Sequence, residues 1–372
     1  MGRLETQSNR RLNIVIAAGG TGGHLFPAQS LAFEMRKKHP NIEITFIGAG
    51  LKNNKYFDEN LFEYIDIKSA TPMKKHPVRM LKALFSIFVG ILSCMKHLKR
   101  ISPHLIISFG SFHTFPALFA GRLKNISMMV VELNVIPGRV NRLCSKWAQL
   151  SFVQFPCTAK HLKGQSICAH IPILHLNAPI TQKGARRHFH LDPEIPTLLV
   201  FGGSQGARSI NYFFCEALEL LISRGLNLQV IHITGTHEGE ALLRPFYEKR
   251  NILAYVKAFE EKMDYAWAAA DLNISRAGAA TLTELITFNV PSILIPYPYS
   301  TEGHQSKNAA YVVDAIHGGA IIEEKELSAS ILAETITDFL SGNKLATMRE
   351  ALHQFREKGK KRDLCSLILE NT

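Results

Sequence analysis

The chain has 372 residues, a length that suits two domains or one large one. Apolar residues make up 46% of it, which supplies buried cores and excludes a mainly disordered protein. Its six cysteines form no C-x-x-C pair, which argues against a zinc cage and a disulfide framework. The N-terminal segment MGRLETQSNRR is polar and basic, so we expect no signal peptide.

The net charge of +12 is concentrated in the first half. Residues 1–175 hold 23 Lys and Arg against 8 Asp and Glu, whereas residues 176–372 hold 20 against 23. A basic half indicates an anionic partner, such as a membrane surface or a phosphorylated substrate, unless it is simply a solvated surface. We do not expect nucleic acid, because no motif of interleaved aromatic and basic residues accompanies the charge.

The first half alternates apolar strands with helical stretches. Strands are predicted at 13–18, 42–47, 104–109, 128–133 and 151–155. A helix is predicted over 27–38, with Pro27 near its first turn. Continuous apolar strands separated by helices are typical of an α/β protein with a parallel, doubly wound sheet.

The segment 81–95 is nearly all apolar and has basic residues at both ends. It is shorter than the ~20 apolar residues of a transmembrane helix. Two interpretations stay open. It is a buried core helix, or a helix with an exposed apolar face and a basic rim that rests on an anionic membrane. Both hold if opposite faces of one helix serve the two purposes.

Residues 175–196 interrupt this alternation with prolines, histidines and basic residues, so the domain boundary is predicted there. The second half then repeats the pattern. Its strands are predicted at 197–201, 228–233, 252–256, 271–275, 292–295 and 320–322.

A glycine-rich loop follows the first strand of each half. The loops are Gly19-Gly20-Thr21-Gly22-Gly23-His24 and Gly202-Gly203-Ser204-Gln205-Gly206-Ala207-Arg208. Glycine lets the backbone approach a ligand closely, and the free N–H groups of a following helix suit phosphate. A matching pair of such loops predicts a diphosphate ligand that bridges two domains at the carboxyl ends of their sheets.

Two further segments carry groups suited to a nucleotide sugar. In the segment 276–284, the Thr281 hydroxyl can bind phosphate and the Glu284 carboxylate can bind a ribose diol, although a helix start with Glu in its first turn is the plain alternative. The segment 302–308 offers amide and imidazole groups for sugar hydroxyls.

Together these motifs resemble the MurG family of UDP-N-acetylglucosamine transferases, within glycosyltransferase family 28. The quoted stretches are GGTGGH at 19–24, GGSQGAR at 202–208, R-x-G-A-x-T-x-x-E at 276–284 and HQ-x-x-NA at 304–309. The segment 132–134 also resembles the family's E-Q-N element. The resemblance runs from about Asn13 to the last helices.

The resemblance implies a GT-B fold, with Rossmann-like domains over 11–175 and 176–344 facing a cleft. A C-terminal helix at about 345–372 would pack back on the first domain. The implied reaction transfers GlcNAc with inversion from UDP-GlcNAc to the muramyl 4-hydroxyl of lipid I, which yields the lipid II of peptidoglycan synthesis.

The resemblance also assigns site residues. The implied donor site comprises Thr21, Gly22, Gly23, Asn134, Ser204, Gln205, Gly206, Phe259, Glu260, Arg276, Ala279, Ala280, Thr281, Leu282, Thr283, Glu284 and Gln305. The implied acceptor diphosphate site comprises Gly19, Gly20, Thr21 and His24. Ser204 and Thr281 would contact the donor diphosphate, Glu284 the ribose and Gln305 the sugar. The backbone of 259–260 would meet the uracil.

An inverting transfer needs a base at the acceptor hydroxyl and stabilisation of the departing UDP. His24 is the first candidate for the base, because an imidazole titrates near working pH, and Glu132 is the second. A role for His24 in binding phosphate alone stays open. Helix N-termini and Arg276 are expected to stabilise the diphosphate, with no metal or other cofactor.

The lipid I acceptor would explain both the basic first half and the segment 81–95. The expected location is the cytoplasmic face of the inner membrane, as a peripheral protein, with cell-wall synthesis proteins as candidate partners. The sequence departs from the family where Leu174 replaces a donor-binding arginine, where Leu133 replaces a glutamine, and in the segment 109–116. The alternatives are a related GT-B glycolipid transferase and a catalytically weak scaffold homologue.

Overall fold

The structure, a computed structural model, describes residues 12–72, 77–172, 180–203, 206–358 and 362–372. These residues form two compact units. The first comprises 12–172 together with 362–372, and the second comprises 180–358. The boundary predicted from the sequence, between 175 and 176, lies outside the described residues.

The first unit contains a seven-stranded sheet. Its strands are β1 (Leu12–Ala17), β2 (Ile42–Gly48), β3 (Glu63–Asp66), β4 (Leu105–Ser108), β5 (Ser127–Glu132), β6 (Leu150–Val153) and β7 (Ser166–Cys168). The helices are α1 (Gly22–Lys38), α2 (Pro77–Ile101), α3 (Phe115–Leu123) and α4 (Arg139–Cys144), and a 3₁₀ turn spans Pro156–His161. The strand order is β3-β2-β1-β4-β5-β6-β7, and each strand is parallel to its neighbours.

The second unit contains a six-stranded parallel sheet. Its strands are β8 (Thr197–Phe201), β9 (Gln229–Ile233), β10 (Ala254–Lys257), β11 (Leu272–Ser275), β12 (Ser292–Leu294) and β13 (Gly319–Ile321), in the order β10-β9-β8-β11-β12-β13. The first helices are α5 (Gln182–His188), α6 (Arg208–Ser223), α7 (His237–Glu248), α8 (Met263–Ala269) and α9 (Ala279–Phe288). The others are α10 (His304–Ala310), α11 (Ala329–Leu340) and α12 (Lys344–Lys358), with a 3₁₀ turn at Thr301–Gly303 and a π-helical turn at Tyr311–Ile316. The last helix of the chain, α13 (Leu364–Glu370), belongs to the first unit.

Each sheet has a point where the strand order reverses. β1 lies between β2 and β4, and Ala17 pairs with Ser108. β8 lies between β9 and β11, and Phe201 pairs with Ser275. Ligands of doubly wound sheets bind outside the carboxyl ends of the strands at such points. The loops after β1, β4, β8 and β11 are therefore where sites are expected.

The central strands agree with the predicted ones because their side chains are almost all buried and apolar. The edge strands β3 and β7 are partly exposed, so they lack the apolar run that predicts a buried strand. The start of α1 differs from the prediction: the helix begins at Gly22 and has Pro27 inside it. The glycine-rich turn leads directly into this helix, so the proline does not mark its start.

Helix α2 extends well beyond the predicted apolar segment, to 25 residues. One face, which carries Ala83, Ile87 and Cys94, is buried in the first unit. The opposite face exposes six large apolar side chains: Val78, Leu81, Leu84, Phe85, Phe88 and Leu92. By length and composition, α2 could also cross a bilayer. The helix thus combines features of the two interpretations, a buried core helix and a helix with an exposed apolar face. One of its faces packs in the core, and the opposite face is apolar and exposed.

The C-terminal helix expected at about 345–372 is two helices in two different units. α12 packs in the second unit, where Leu352 is fully buried and Arg356 donates a hydrogen bond to the Thr287 carbonyl at 2.7 Å. α13 packs in the first unit, where its N-cap Asp363 forms an ion pair with Lys38 at 2.6 Å. Only the shorter, second helix returns to the first unit, because the buried contacts of α12 lie elsewhere.

Candidate active site

In the first unit, the turn after β1 lies against the loop after β4. Gly20 has a φ of +86°, in the region that favours glycine, and a Cβ there would meet Nδ1 of His113 at 2.8 Å. Asn54 holds the same turn by donating a hydrogen bond from Nδ2 to the Gly20 carbonyl at 3.0 Å. Two imidazoles, His24 and His113, therefore flank the expected acceptor turn.

The imidazole of His24 is fixed by the loop after β4. Its Nδ1 lies 2.9 Å from the Phe109 carbonyl oxygen. Because a carbonyl can only accept, Nδ1 carries the proton and the lone pair of neutral His24 is on Nε2. Burial lowers the pKa of His24 below 6.5, although the Glu132 charge and the Phe109 carbonyl oppose this. The neutral form of His24 is therefore favoured, with its lone pair on Nε2, and its role as the base stays a prediction.

Glu132 is nearly fully buried, and both of its carboxylate oxygens accept hydrogen bonds. Oε1 accepts from the backbone N–H and the side chain of Asn134, each at 2.9 Å. Oε2 accepts from the Gly138 N–H and from the Asn141 side chain, each at 2.9 Å. The carboxylate thus organises the loop that carries Asn134. This arrangement favours His24 over Glu132 as the base.

The helices that begin at the switch points have free N-termini. The N-cap residues of α1, α3, α6 and α9 form no side-chain cap hydrogen bond, and the first turns hold no acidic residue. Among the other helices, the N-caps of α5, α7, α11 and α13 accept hydrogen bonds through their side chains, whereas those of α4, α8 and α10 do not. Uncapped N-termini present unsatisfied N–H groups and positive dipole ends, which suit phosphate. Gly22, Gly23, Ala279 and Ala280 lie in two of these first turns.

In the second unit, the loop after β8 folds back on itself. The Gly206 N–H donates to the Gly203 carbonyl at 2.9 Å, and both residues have positive φ. A Cβ on Gly202 would meet the backbone nitrogen of Ala207 at 2.1 Å, so this position requires glycine. Ser204 and Gln205, expected to contact the donor, lie outside the described residues.

Arg276, after β11, is nearly buried and already has partners. Its guanidinium pairs with Glu324 and donates to the Ile295 carbonyl at 3.2 Å. Ser209, in the first turn of α6, donates to the same carboxylate at 2.6 Å. Burial raises the pKa of Glu324, but the hydrogen bonds from Arg276 and Ser209 outweigh it and the net shift is downward. Arg276 thus connects the loop after β11 with the loops after β12 and β13. A direct contact of Arg276 with the diphosphate stays a prediction.

Helix α9 separates the expected donor residues by the direction of their side chains. Thr281 lies in the first turn, and its hydroxyl has no hydrogen-bond partner in the part of the chain that the structure describes. Leu282 and Thr283 face inward instead. Leu282 is fully buried, and the Thr283 hydroxyl donates to the Ala279 carbonyl at 3.1 Å. A part of these two residues in donor binding stays a prediction, and it would involve their backbone groups.

Glu284 is half-buried, one turn further along α9. Its Oε2 accepts a hydrogen bond from Nε1 of Trp267 at 3.0 Å. Burial raises the pKa of Glu284 to about 7, partly offset by this hydrogen bond. Its carboxyl group therefore titrates near neutral pH.

Two loops complete the expected donor site. Glu260 accepts from the Tyr255 hydroxyl at 2.6 Å and from the Lys262 N–H at 2.8 Å. The carboxylate of Glu260 is thus occupied. The backbone of 259–260 is left as the group available to the uracil of the donor. Gln305 accepts from the Tyr297 N–H through Oε1 at 2.9 Å. This contact directs its Nε2 donors elsewhere, as binding of a sugar hydroxyl requires.

His113 and Trp267 are not among the site residues predicted from the sequence. His113 lies in the segment 109–116, where the sequence departs from a family motif. Burial and the neighbouring His24 lower its pKa below 6.5. Trp267 carried a usable signal, because a buried indole N–H needs an acceptor. Within the described ranges, no three His, Cys, Asp or Glu side chains cluster as a metal site.

Comparison with known proteins agrees with this architecture. Residues 14–153 match the glycosyltransferase family 28 N-terminal domain, and residues 197–363 match the family's C-terminal domain. The UDP-N-acetylglucosamine--N-acetylmuramyl-(pentapeptide) pyrophosphoryl-undecaprenol N-acetylglucosamine transferase of Protochlamydia amoebophila is 37% identical, over 96% of this chain and 95% of that protein. The enzyme of the same name from Chlamydia pneumoniae is 34% identical, over 96% of this chain and 98% of its own.

The fold is also found among solved structures. The crystal structure of Acinetobacter baumannii MurG has a TM-score of 0.73 at 24% identity, and the alignment covers 96% of this chain and 98% of that one. An anthocyanidin 3-O-glucosyltransferase bound to UDP has a TM-score of 0.63 at 14% identity, over 95% of each chain. The predicted GT-B type of fold, with two Rossmann-like parallel sheets, is therefore confirmed. The chain belongs to glycosyltransferase family 28.

Proposed function

We propose that this protein transfers GlcNAc from UDP-GlcNAc to the muramyl 4-hydroxyl of lipid I, with inversion, to give lipid II for peptidoglycan synthesis. The observation that carries the proposal is the pairing of two sites of different chemistry, each at a switch point. One offers a neutral histidine beside a glycine-rich turn, and the other offers a carboxylate, an amide and uncapped helix N-termini. The names of the relatives at 37% and 34% identity support the same reaction.

The second unit is assigned to the donor. The N-termini of α6 and α9 would bind the diphosphate of UDP, with the hydroxyl of Thr281 as a further donor. Glu284 would accept hydrogen bonds from the ribose diol. Gln305 would donate to the sugar hydroxyls, and the backbone of 259–260 would bind the uracil. Leu174, which stands in place of a family arginine, lies outside the described residues.

The first unit is assigned to the acceptor and the base. Nε2 of His24 would take the proton of the acceptor hydroxyl as the oxygen attacks the anomeric carbon. The bond from that carbon to the diphosphate oxygen breaks, and its electron pair leaves with UDP. The charge of Glu132 stabilises the resulting imidazolium. Helix N-termini would stabilise the departing diphosphate, so the proposal includes no resident metal or other cofactor.

The exposed face of α2 is assigned to the membrane. Six large apolar side chains lie bare on it, and Arg79, Lys82, Lys96, Lys99 and Arg100 are exposed on the same helix. An apolar face with a basic rim suits the interface of an anionic bilayer. Together with the net charge of the first half, this supports a peripheral protein on the cytoplasmic face of the inner membrane, where lipid I would reach the site. Cell-wall synthesis proteins are candidate partners.

The deciding experiment measures transfer from UDP-GlcNAc with lipid I, and separately with diacylglycerol, as the acceptor. We expect lipid II of inverted anomeric configuration from lipid I and no product from diacylglycerol. Product from diacylglycerol alone would identify a glycolipid transferase instead. If a folded sample gives no heat with millimolar UDP-GlcNAc in calorimetry, the enzyme assignment is wrong and a scaffold role takes its place.

A further inference from the structure

We propose that Trp267 is a positioning residue for the donor: its indole N–H holds the Glu284 carboxylate in place to receive the ribose diol. The inference rests on the proposed role of Glu284 in donor binding. It adds a buried residue of a different helix, α8, whose side chain acts on the nucleotide only through Glu284.

The contact between the two residues is direct. Nε1 of Trp267 lies 3.0 Å from Oε2 of Glu284. Trp267 is completely buried, and its ring packs edge-on against Phe201, the last residue of β8, at 5.7 Å. A buried indole N–H has one hydrogen to donate, and here it is donated to the carboxylate. The ring is therefore fixed by the core, and the carboxylate is fixed by the ring.

Glu284 keeps free acceptor capacity after this contact. Oε1 has no hydrogen-bond partner within the part of the chain that the structure describes, and it is not sealed from solvent. A carboxylate has about four lone-pair sites, so one indole N–H leaves room for two ribose hydroxyls. The position of Glu284 also fits, since α9 begins at the switch point with a free N-terminus.

Trp267 also controls the protonation of Glu284. Burial raises the pKa of Glu284 to about 7, and the indole hydrogen bond is the one interaction that lowers it. No charged side chain of the described residues contributes to this pKa, so neither Arg276 on the preceding loop nor Glu260 near α8 offsets the burial. Without the indole N–H, the carboxyl would stay protonated to higher pH. A protonated carboxyl cannot accept from both hydroxyls through two anionic oxygens.

The test compares UDP with 2′-deoxy-UDP in calorimetry at pH 7 and pH 9. We expect W267F, which keeps a ring against Phe201, to bind UDP on the order of tenfold more weakly at pH 7. Its preference for UDP over the 2′-deoxy compound should fall at pH 7 and largely return at pH 9, where Glu284 ionises again. The inference would be overturned if W267F lost its preference for UDP over 2′-deoxy-UDP equally at both pH values. It would also be overturned if W267F kept the unaltered preference at pH 7.

Two controls separate this inference from the proposed function. E284Q should lose the ribose preference at both pH values, and adding W267F to it should change nothing further. W147F, which alters the chain's other tryptophan, should bind UDP as the unaltered protein does. If the unaltered protein shows no UDP binding, the proposed function fails. If it shows a preference that E284Q removes and W267F does not, only the role of Trp267 fails.

A second measurement avoids any dependence on the folding of W267F. In W147F the remaining indole is Trp267, so its fluorescence reports on Glu284 directly. We expect the emission to titrate with a midpoint near pH 7, and the titration to vanish in W147F/E284Q. An emission that does not change between pH 5 and pH 9 would refute the contact.

Discussion

Nδ1 of His24 lies 2.9 Å from the carbonyl oxygen of Phe109, a residue 85 positions away in the chain. The contact determines which ring nitrogen carries the proton, and it leaves Nε2 with a lone pair. Burial favours the neutral ring because it disfavours charge. Glu132 is close enough to act on His24 by its charge, but its own oxygens are occupied by loop groups.

The first prediction concerns H24A. Because the variant lacks the base, kcat for transfer to lipid I should fall by about 10²- to 10⁴-fold. UDP binding should stay unchanged, since Thr281, Glu284 and the backbone of 259–260, which are assigned to the nucleotide, lie in the second unit. In the unaltered enzyme, kcat at saturating UDP-GlcNAc should fall with acidification only below pH 6.5, because the pKa of His24 is lowered from that value.

The matched control is H39A, which alters an exposed histidine just after α1. It should retain full activity, since His39 touches no group of the site. Normal turnover by H24A would transfer the role of base to another residue, and Glu132 would then be the one to replace.

The second prediction is that E284Q stabilises the fold while it weakens donor binding. Above pH 7, Glu284 is ionised in both the folded and the unfolded states, and burial of the charge costs free energy. A pKa raised from 4.5 to about 7 corresponds to at most ~3.5 kcal/mol, at about 1.4 kcal/mol per unit. The increase in the free energy of unfolding of E284Q over the unaltered protein should be near zero below pH 4.5. It should grow between pH 4.5 and pH 7 and level off above pH 7.

The free energy of unfolding, measured by urea titration at several pH values, checks this prediction. E334Q, at an exposed glutamate of α11, serves as the control and should show no such growth. An advantage of E284Q that is equal at pH 5 and pH 8 would mean that ionisation of the carboxyl is not its source.

The third prediction concerns the bare face of α2. The double variant L84E/F88E should lose at least about tenfold in affinity for vesicles that contain anionic lipid, because burial of each side chain contributes about 1.5–3 kcal/mol. Binding by the unaltered protein should weaken with salt, since the basic residues around the face are exposed.

The control for this surface is L242E, which places one glutamate at a leucine of α7 that is 74% exposed. Its vesicle binding should match that of the unaltered protein. If L84E/F88E and L242E behave alike in co-sedimentation, the face of α2 is not the membrane surface.

The fourth prediction separates the sugar from the nucleotide. Q305A removes the amide that Tyr297 orients, so the KM for UDP-GlcNAc should rise by about five- to tenfold. The Kd for UDP, which lacks the sugar, should change less than twofold. Equal losses for both ligands in calorimetry would place Gln305 at the nucleotide instead.

The sequence predicted the central strands of both sheets and the loops that follow them. These features are local: a run of apolar residues identifies a strand buried on both faces, and a cluster of glycines identifies a turn into a helix. The motif resemblance named the family correctly for the same reason, because its residues lie within short segments. The edge strands β3 and β7 escaped prediction because their side chains are partly exposed and form no continuous apolar run.

The sequence by itself thus determined the parallel sheets, the glycine-rich turns, the family and the apolar segment of α2. Only the tertiary structure decided which partners the polar groups find. Phe109 orients His24, Trp267 meets Glu284 from the preceding helix, and Glu324 pairs with Arg276. The tertiary structure also places two C-terminal helices, α12 and α13, in different units, and it buries the side chains of Leu282 and Thr283. The physical reason is that such contacts join residues far apart in the chain, and burial selects among partners that local patterns leave equivalent.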